Sequence, residues 1–321
     1  MIFWGSWANT QKIAARTWRF ELFYWDKVTG IFLLSIITAF TLGSFGSDGR
    51  SFLADLGSAN MKSIGFAMLG GVVWNLGNLL LVAAIAVAGM SIAFPIGGGI
   101  AWILGIAVNY LLIVFSGGIA SNNPGVLWIG VIIIVSAIVL SGIIYNRIAK
   151  IRKKTSMAGI LLAVFAGLLI AFFYGLVVNS LDPAFVSGGS GNLTPYTALV
   201  FFAVGVVIST VVANPVFMAR PIQGEPVTMK MYFKGSLREH LAGVSGGVIW
   251  MLAMVMSFMA VGAANPAIAY ALSNAAPVVA ILWGVFIWKE FNDADSATRR
   301  MLVTMFSFYI IGLVLITVSN I

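Results

Sequence analysis

Gly70-Gly71-Val72-Val73-Trp74 returns as Gly246-Gly247-Val248-Ile249-Trp250, and the likeness continues without a gap to Ile92-Ala93-Phe94 against Ile268-Ala269-Tyr270. A second echo pairs Trp4-Gly5 and Asn9-Thr10 with Tyr174-Gly175 and Asn179-Ser180. Both repeats lie in strongly apolar segments, so one membrane unit is written twice.

Apolar character extends along the whole chain. Of 321 residues, 60% are hydrophobic and 9% charged, against roughly 25% charged in a soluble domain, and the mean hydropathy is +1.03. Stretches of ~20 apolar residues, enough to cross a ~30 Å hydrocarbon core as helices, leave no room for a soluble domain. Period-two alternation is absent, which argues against a membrane β-barrel. Helices are expected at 28–46, 63–88, 91–115, 126–145, 157–178, 196–218, 241–262, 265–288 and 298–320. Ahead of them, MIFWGSWANTQKIAA is about half the length of a span and lacks the basic start of a signal peptide. It reads as the second half of a first helix whose beginning is truncated. The expected fold class is an all-α polytopic membrane protein of about ten transmembrane helices, built as two inverted five-helix repeats.

A net charge of +8 would suggest nucleic acid in a soluble protein, but the placement of the charges gives a topology instead. Basic residues fall in alternate links: Lys12, Arg16, Arg19 and Lys27; Arg147, Lys150, Arg152, Lys153 and Lys154; Arg220, Lys230, Lys234 and Arg238; Lys289, Arg299 and Arg300. The other links hold only Arg50 and Lys62. The positive-inside rule makes the first set cytoplasmic and puts both termini outside a cell (inner or plasma) membrane. Residues 1–146 then form the first repeat, 147–155 a basic cytoplasmic linker and 156–321 the second repeat. An odd number of helices per repeat inverts the second copy. In agreement, the link 179–195 has no basic residue where its counterpart after the first helix is rich in them. Such inversion is the sign of a transporter with a solute site near the midplane.

Polar groups within spans should point inward. Ser91, Pro95, Gly98, Trp102, Gly105 and Asn109 share one helical face, and Gly97-Gly98-Gly99 after Pro95 would let that helix bend and gate. The matching helix of the second repeat offers Tyr270 and Asn274. Trp74 and Asn78 lie on one face of 63–88, opposite Trp250 and the methionines Met251, Met254 and Met256 in the second copy. Aromatic rings and amides without a buried positive charge suit a small neutral polar solute. Solute contacts are therefore expected from Asn9, Trp74, Asn78, Ser91, Tyr270 and Asn274. Asp26 and Glu21, in WRFELFYWDK, are the candidates for exchanging a coupling proton. The alternative for these carboxylates is neutralisation by Arg19 or Lys27 at the interface. Pro95, Gly98 and Glu290 are the gating candidates. The sole histidine, His240, stands at a helix boundary, where a structural or interfacial role is the usual one. No HExxH, nucleophile elbow or phosphate loop occurs, so no enzyme activity, cofactor, metal or nucleic-acid partner is expected. Zero cysteines also exclude disulfides.

In order along the chain, FAMLGGVVWNLGN (66–78), AGMS (88–91), ILGIAVNY (103–110), Tyr24-Trp25-Asp26, NPVFMARP (214–221) and AAPVVAILWGVFIWKEF (275–291) resemble the drug/metabolite transporter superfamily, and within it the ureide permease and glucose/ribose porter group. The resemblance implies proton-linked uptake of neutral nitrogen heterocycles such as allantoin, uracil or other nucleobases, with nucleosides or sugars as the relatives' cargo. Plant ureide permeases carry a long central loop where this chain has only NRIAKIRKKT. Trp74-Asn75 also stands where the group has small residues. The expected function is a secondary active transporter importing a small neutral polar metabolite by alternating access, with protons as coupling ion, in the lipid bilayer, and with association into a homodimer left open. A broad-specificity exporter of drugs or metabolites and a non-transporting receptor or enzyme scaffold are the alternatives.

Overall fold

The computed structural model describes residues 1–15, 17–45, 49–88, 90–149, 157–182, 191–222, 224–262, 266–273, 276–289, 292 and 294–319. Fourteen α-helices follow one another among the described residues: α1 Ile2–Ser6, α2 Ala8–Ala14, α3 Phe20–Phe40, α4 Phe52–Ser58, α5 Met61–Ala88, α6 Met90–Phe115, α7 Pro124–Ala149, α8 Met157–Val178, α9 Pro195–Ala219, α10 Met229–Tyr232, α11 Leu237–Met259, α12 Pro266–Ser273, α13 Ala276–Leu282 and α14 Ser296–Val318. Eight of them (α3, α5 to α9, α11 and α14) contain stretches long and apolar enough to span a bilayer. An all-helical chain is what the hydrocarbon core demands, because a helix satisfies its backbone groups internally. The protein is an all-α polytopic membrane protein.

Local chemistry sets several starts. Thr194 caps α9 ahead of Pro195 at its first position. Ser236 and Glu239 form a reciprocal capping box on α11, and Asp295 accepts from the Thr298 N–H at 2.8 Å to cap α14. Each supplies a partner to an otherwise orphaned backbone donor.

Three expectations need correction. The span expected at 28–46 runs from Phe20 to Phe40, because Glu21, Asp26 and Lys27 find partners inside the protein and so do not end the helix. Within the helix expected at 265–288, described as α12 and α13, the last turns at Trp283–Ile287 are π-helical instead of α-helical. In contrast, α6 is unbroken through Gly97-Gly98-Gly99, where a bend was expected.

The chain divides into two compact units, each drawing on both sequence halves. One comprises Met1–Ser6, Leu80–Ala171 and Ala264–Ile321. Within it α7 packs on α14, and Gly130 and Gly312 each lie against the other's carbonyl. Here too the Trp102 indole N–H donates to the Ala271 carbonyl at 3.1 Å, and the Tyr270 hydroxyl to the Ala101 carbonyl at 2.8 Å.

The other unit comprises Trp7–Leu79 and Phe172–Ala263. Two helix crossings within it repeat the same contacts. In the first, a Cβ on Gly71 of α5 would strike the Phe202 carbonyl of α9, and one on Gly205 of α9 would strike the Met68 carbonyl of α5. In the second, Gly247 of α11 stands in the same relation to the Lys27 carbonyl of α3, and Gly30 of α3 to the Val244 carbonyl of α11. Small residues permit such close approach of membrane helices. These contacts make Lys27 the positional counterpart of Phe202, as Trp74 is of Trp250.

Candidate functional site: a buried lysine among aromatic rings

The two tryptophans of the repeated motif meet. Trp74 of α5 and Trp250 of α11 have ring centroids 3.9 Å apart at 34°, a contact worth about 0.5–1.5 kcal/mol beyond the area it buries. Phe202 of α9 lies stacked on Trp250 at 5.9 Å and tilted against Trp74 at 5.7 Å. Together the three rings make an apolar platform in the second unit.

Lys27 completes this cluster from α3. Its side chain is fully buried. The ammonium lies 3.5 Å from the Trp7 ring centroid, 5.5 Å from that of Trp74 and 5.6 Å from that of Tyr24, and it donates to Asn78 Oδ1 at 2.6 Å. Aromatic faces attract a desolvated cation by about 2 kcal/mol or more. Beside it the Tyr24 hydroxyl donates to Asn75 Oδ1 at 2.8 Å. Asn75 in turn gives both amide hydrogens to α9, to Ser209 Oγ and Thr210 Oγ1, each at 2.9 Å. Asn75 is thus a saturated bolt between α3, α5 and α9, whereas Asn78 is engaged through its carbonyl with Lys27.

Asp26 is the next residue on α3. Consecutive helical residues point about 100° apart, so its carboxylate serves a different group. It accepts from the Tyr232 hydroxyl at 2.6 Å and meets His240 Nδ1 at 2.9 and 3.0 Å through its two oxygens. Trp18 packs edge-on against His240 at 5.5 Å. Gly243, one turn into α11, leaves the space that the Asp26 side chain fills. Tyr232 lies outside the spans. Burial first, then the hydrogen bond and charge of Asp26, hold its phenol above the usual tyrosine range, so it stays a donor.

The expected residues separate accordingly. Trp74, Asn78 and Asp26 fall in the second unit. Asn9 is half-buried on α2 of that unit, beside Thr10, which packs against Gly246. Glu21 is fully buried and held by Arg19 through two contacts, at 2.5 and 3.2 Å. Of the two neutralisations weighed, Arg19 serves Glu21, while Asp26 has His240 and Tyr232 in place of Arg19 or Lys27. Tyr270 belongs to the other unit, as does Gly98, half-buried on α6. Ser91 and Pro95 lie in α6 with side chains outside those described, and Asn274 and Glu290 lie outside the described residues.

Lys27, expected among the charges of a link, lies inside α3. The premise of a lining without a buried positive charge is corrected by it. Its signal was present: Leu22 and Phe23 carry the apolar pattern N-terminal of the charges, which places Lys27 two turns inside a helix. His240 and Tyr232 gave no comparable signal, since their partner is more than 200 residues away.

Chemically, the cluster joins packed aromatic faces to the N–H and O–H donors of Lys27 and Tyr24. Among the described residues no group of His, Cys, Asp and Glu is placed to hold a metal ion. The family model for ureide permeases matches residues 23–149 and 145–319. The chain belongs to the ureide permease family. Ureide permease 1 of Arabidopsis thaliana is 25% identical over 379 aligned positions, covering 100% of this chain and 95% of its own. Ureide permease 2 of the same plant is 26% identical over 390 positions, covering 98% and 94%. Probable ureide permease A3 of Vigna unguiculata is 34% identical over 116 residues, or 35% of this chain and 31% of its own. Apart from Trp7 and Trp18, every residue of the Lys27 and Asp26 clusters lies within the segments matched by the family model.

Proposed function

We propose that this chain is a secondary active transporter that imports a small polar nitrogen compound, a ureide or nucleobase, by alternating access of two inverted repeats, coupled to protons through Asp26. The carrying observation is that Trp74 and Trp250, the ends of the same motif at its two occurrences, meet at a tilt beside a buried polar cluster. The matched glycine crossings of α5 with α9 and of α11 with α3 support the duplication, and the opposite charge of corresponding links supports its inversion. Two copies of one unit running in opposite directions provide two access states of similar energy. The ureide permeases among the relatives support the solute class. Nucleosides and sugars are the next candidates.

Proton coupling follows from what holds Asp26. As a carboxylate it accepts from Tyr232 and His240 and so ties α10 and the start of α11 to α3. A proton on Asp26 removes its charge and one acceptor site, weakening that tie and freeing the helices to shift.

The test is uptake of labelled allantoin, uracil, a nucleoside and glucose into proteoliposomes with and without an inward proton gradient. Gradient-driven accumulation of a ureide or nucleobase is expected. Asp26→Asn should abolish accumulation and retain exchange; persistence of accumulation would overturn the coupling assignment. If none of the four solutes moves in the wild type, the importer reading is overturned, leaving an exporter or a non-transporting receptor or scaffold. A broad-specificity exporter is the second reading, favoured by the buried Met251 and Met254 beside Trp250. It requires efflux of structurally unrelated apolar compounds.

A further inference from the structure

A lysine buried among rings is held as an ammonium only when a negative charge joins it, and the elements around Lys27 do not supply one. The described portions of α2, α5 and α9 contain no acidic residue. On α11 the sole carboxylate, Glu239, closes the capping box with Ser236. On α3, Glu21 is held by Arg19, and Asp26 by His240 and Tyr232. Aromatic faces and one amide carbonyl stabilise the charge without neutralising it. Asn78 takes one of the three ammonium N–H groups.

A second orphan lies nearby in sequence. Gln11 is 5% exposed, and its Oε1 is buried without a hydrogen-bond partner. It stands one turn along from Trp7, on the helical face of the ring that covers Lys27. The pair is one unneutralised donor and one unfilled acceptor.

We propose that Lys27 is the specificity-determining residue of the solute site. Its ammonium binds an oxyanion of the solute, and Gln11 accepts from an N–H of the same solute. The preferred class is a ureide bearing a carboxylate rather than its uncharged ring form. This rests on the transport reading above. The positional counterpart of Lys27 is Phe202, and those of Asn75 and Asn78 are Met251 and Met254. Only one side of the duplicated scaffold is therefore equipped to hold a charged group, and the solute binds in one orientation, carboxylate towards α3.

Hydantoate (N-carbamoylglycine) and hydantoin, its uncharged ring-closed form, are the probes. The purified full chain in proteoliposomes is assayed with each as a labelled solute, for the wild type, Lys27→Met, Lys27→Arg and Gln11→Leu. Wild type should favour hydantoate. Lys27→Met should shift the hydantoate-to-hydantoin ratio towards hydantoin by about tenfold or more, as loss of a charge-assisted hydrogen bond does. Lys27→Arg should restore part of the preference, and Gln11→Leu should raise the KM for both solutes. Saturable quenching of tryptophan fluorescence by hydantoate in the wild type needs no variant and is expected at lower concentration than quenching by hydantoin. Transport of hydantoin without hydantoate, an unchanged ratio in a folded Lys27→Met protein, or quenching by hydantoin alone overturns the assignment while leaving the transport reading intact. Movement of neither probe nor any solute tested above overturns the importer reading and this inference with it.

Discussion

Gly71 and Gly65 lie on the same helix and differ in what a methyl group would meet. At Gly71 it strikes a backbone carbonyl of α9, which cannot turn aside; at Gly65 it meets open space within 4 Å. Gly71→Ala should therefore force α5 and α9 apart and cost about 1–3 kcal/mol, as overpacking does. Gly65→Ala should be neutral or stabilising by up to about 1 kcal/mol through helix propensity. Melting in detergent separates the two. Tyr232 gives a residue-scale pH dependence. Its phenol is raised in the folded chain, so the stability it contributes is fully present below the ordinary tyrosine value near 10 and is lost as pH rises through the raised value. The wild type should melt above Tyr232→Phe at pH 8, and that advantage should shrink progressively above pH 10. A gap that stays constant to pH 11 would contradict the hydrogen bond to Asp26.

Among elements, α8 is legible at both ends, Met157 and Val178, because no charged residue lies between. Helix α3 is not. Its charged residues imitate a loop, and only their partners, Arg19 for Glu21 and groups on α5, α10 and α11 for Lys27 and Asp26, make them tolerable inside a span. A similar dependence holds the other end of this unit together. Arg50 bonds the carboxylates of Asp55 on α4, at 2.5 Å, and Asp182, at 2.7 Å, and also the Asn192 carbonyl. Asp55 in turn accepts from the N–H and hydroxyl of Thr194, the cap of α9. Arg50→Met leaves a buried carboxylate uncompensated and should cost about 3 kcal/mol. Replacing Asp55 and Asp182 by Asn in that variant should recover part of the melting temperature; no recovery would mean that Arg50 acts through packing alone.

On the scale of the whole molecule, the proposed repeats are drawn from the sequence and the compact units from the packing, and the two do not share boundaries. Each unit takes helices from both halves, with the divisions falling inside α5 and α8. The proposed orientation can be tested directly because the natural chain has no cysteine. Lys234→Cys, in a basic link, should react with an impermeant maleimide only after the membrane is opened. Gly57→Cys, exposed and in open space, should react from outside in intact cells. The reverse labelling would invert the topology.

The sequence alone determined that the chain lives in a bilayer, that it is helical and that the motif Gly70–Trp74 recurs at Gly246–Trp250. Those properties are carried by hydropathy, period and residue identity, which are local. Tertiary structure decided which polar groups serve the interior: that Lys27 enters a ring of aromatics, that Asp26 meets a histidine 214 residues away, and that Asn75 is a bolt where Asn78 is a ligand of the lysine. Burying a polar group is unfavourable until a partner arrives, and the partner is chosen by how helices cross and where their side chains point. No spacing along the chain contains that information.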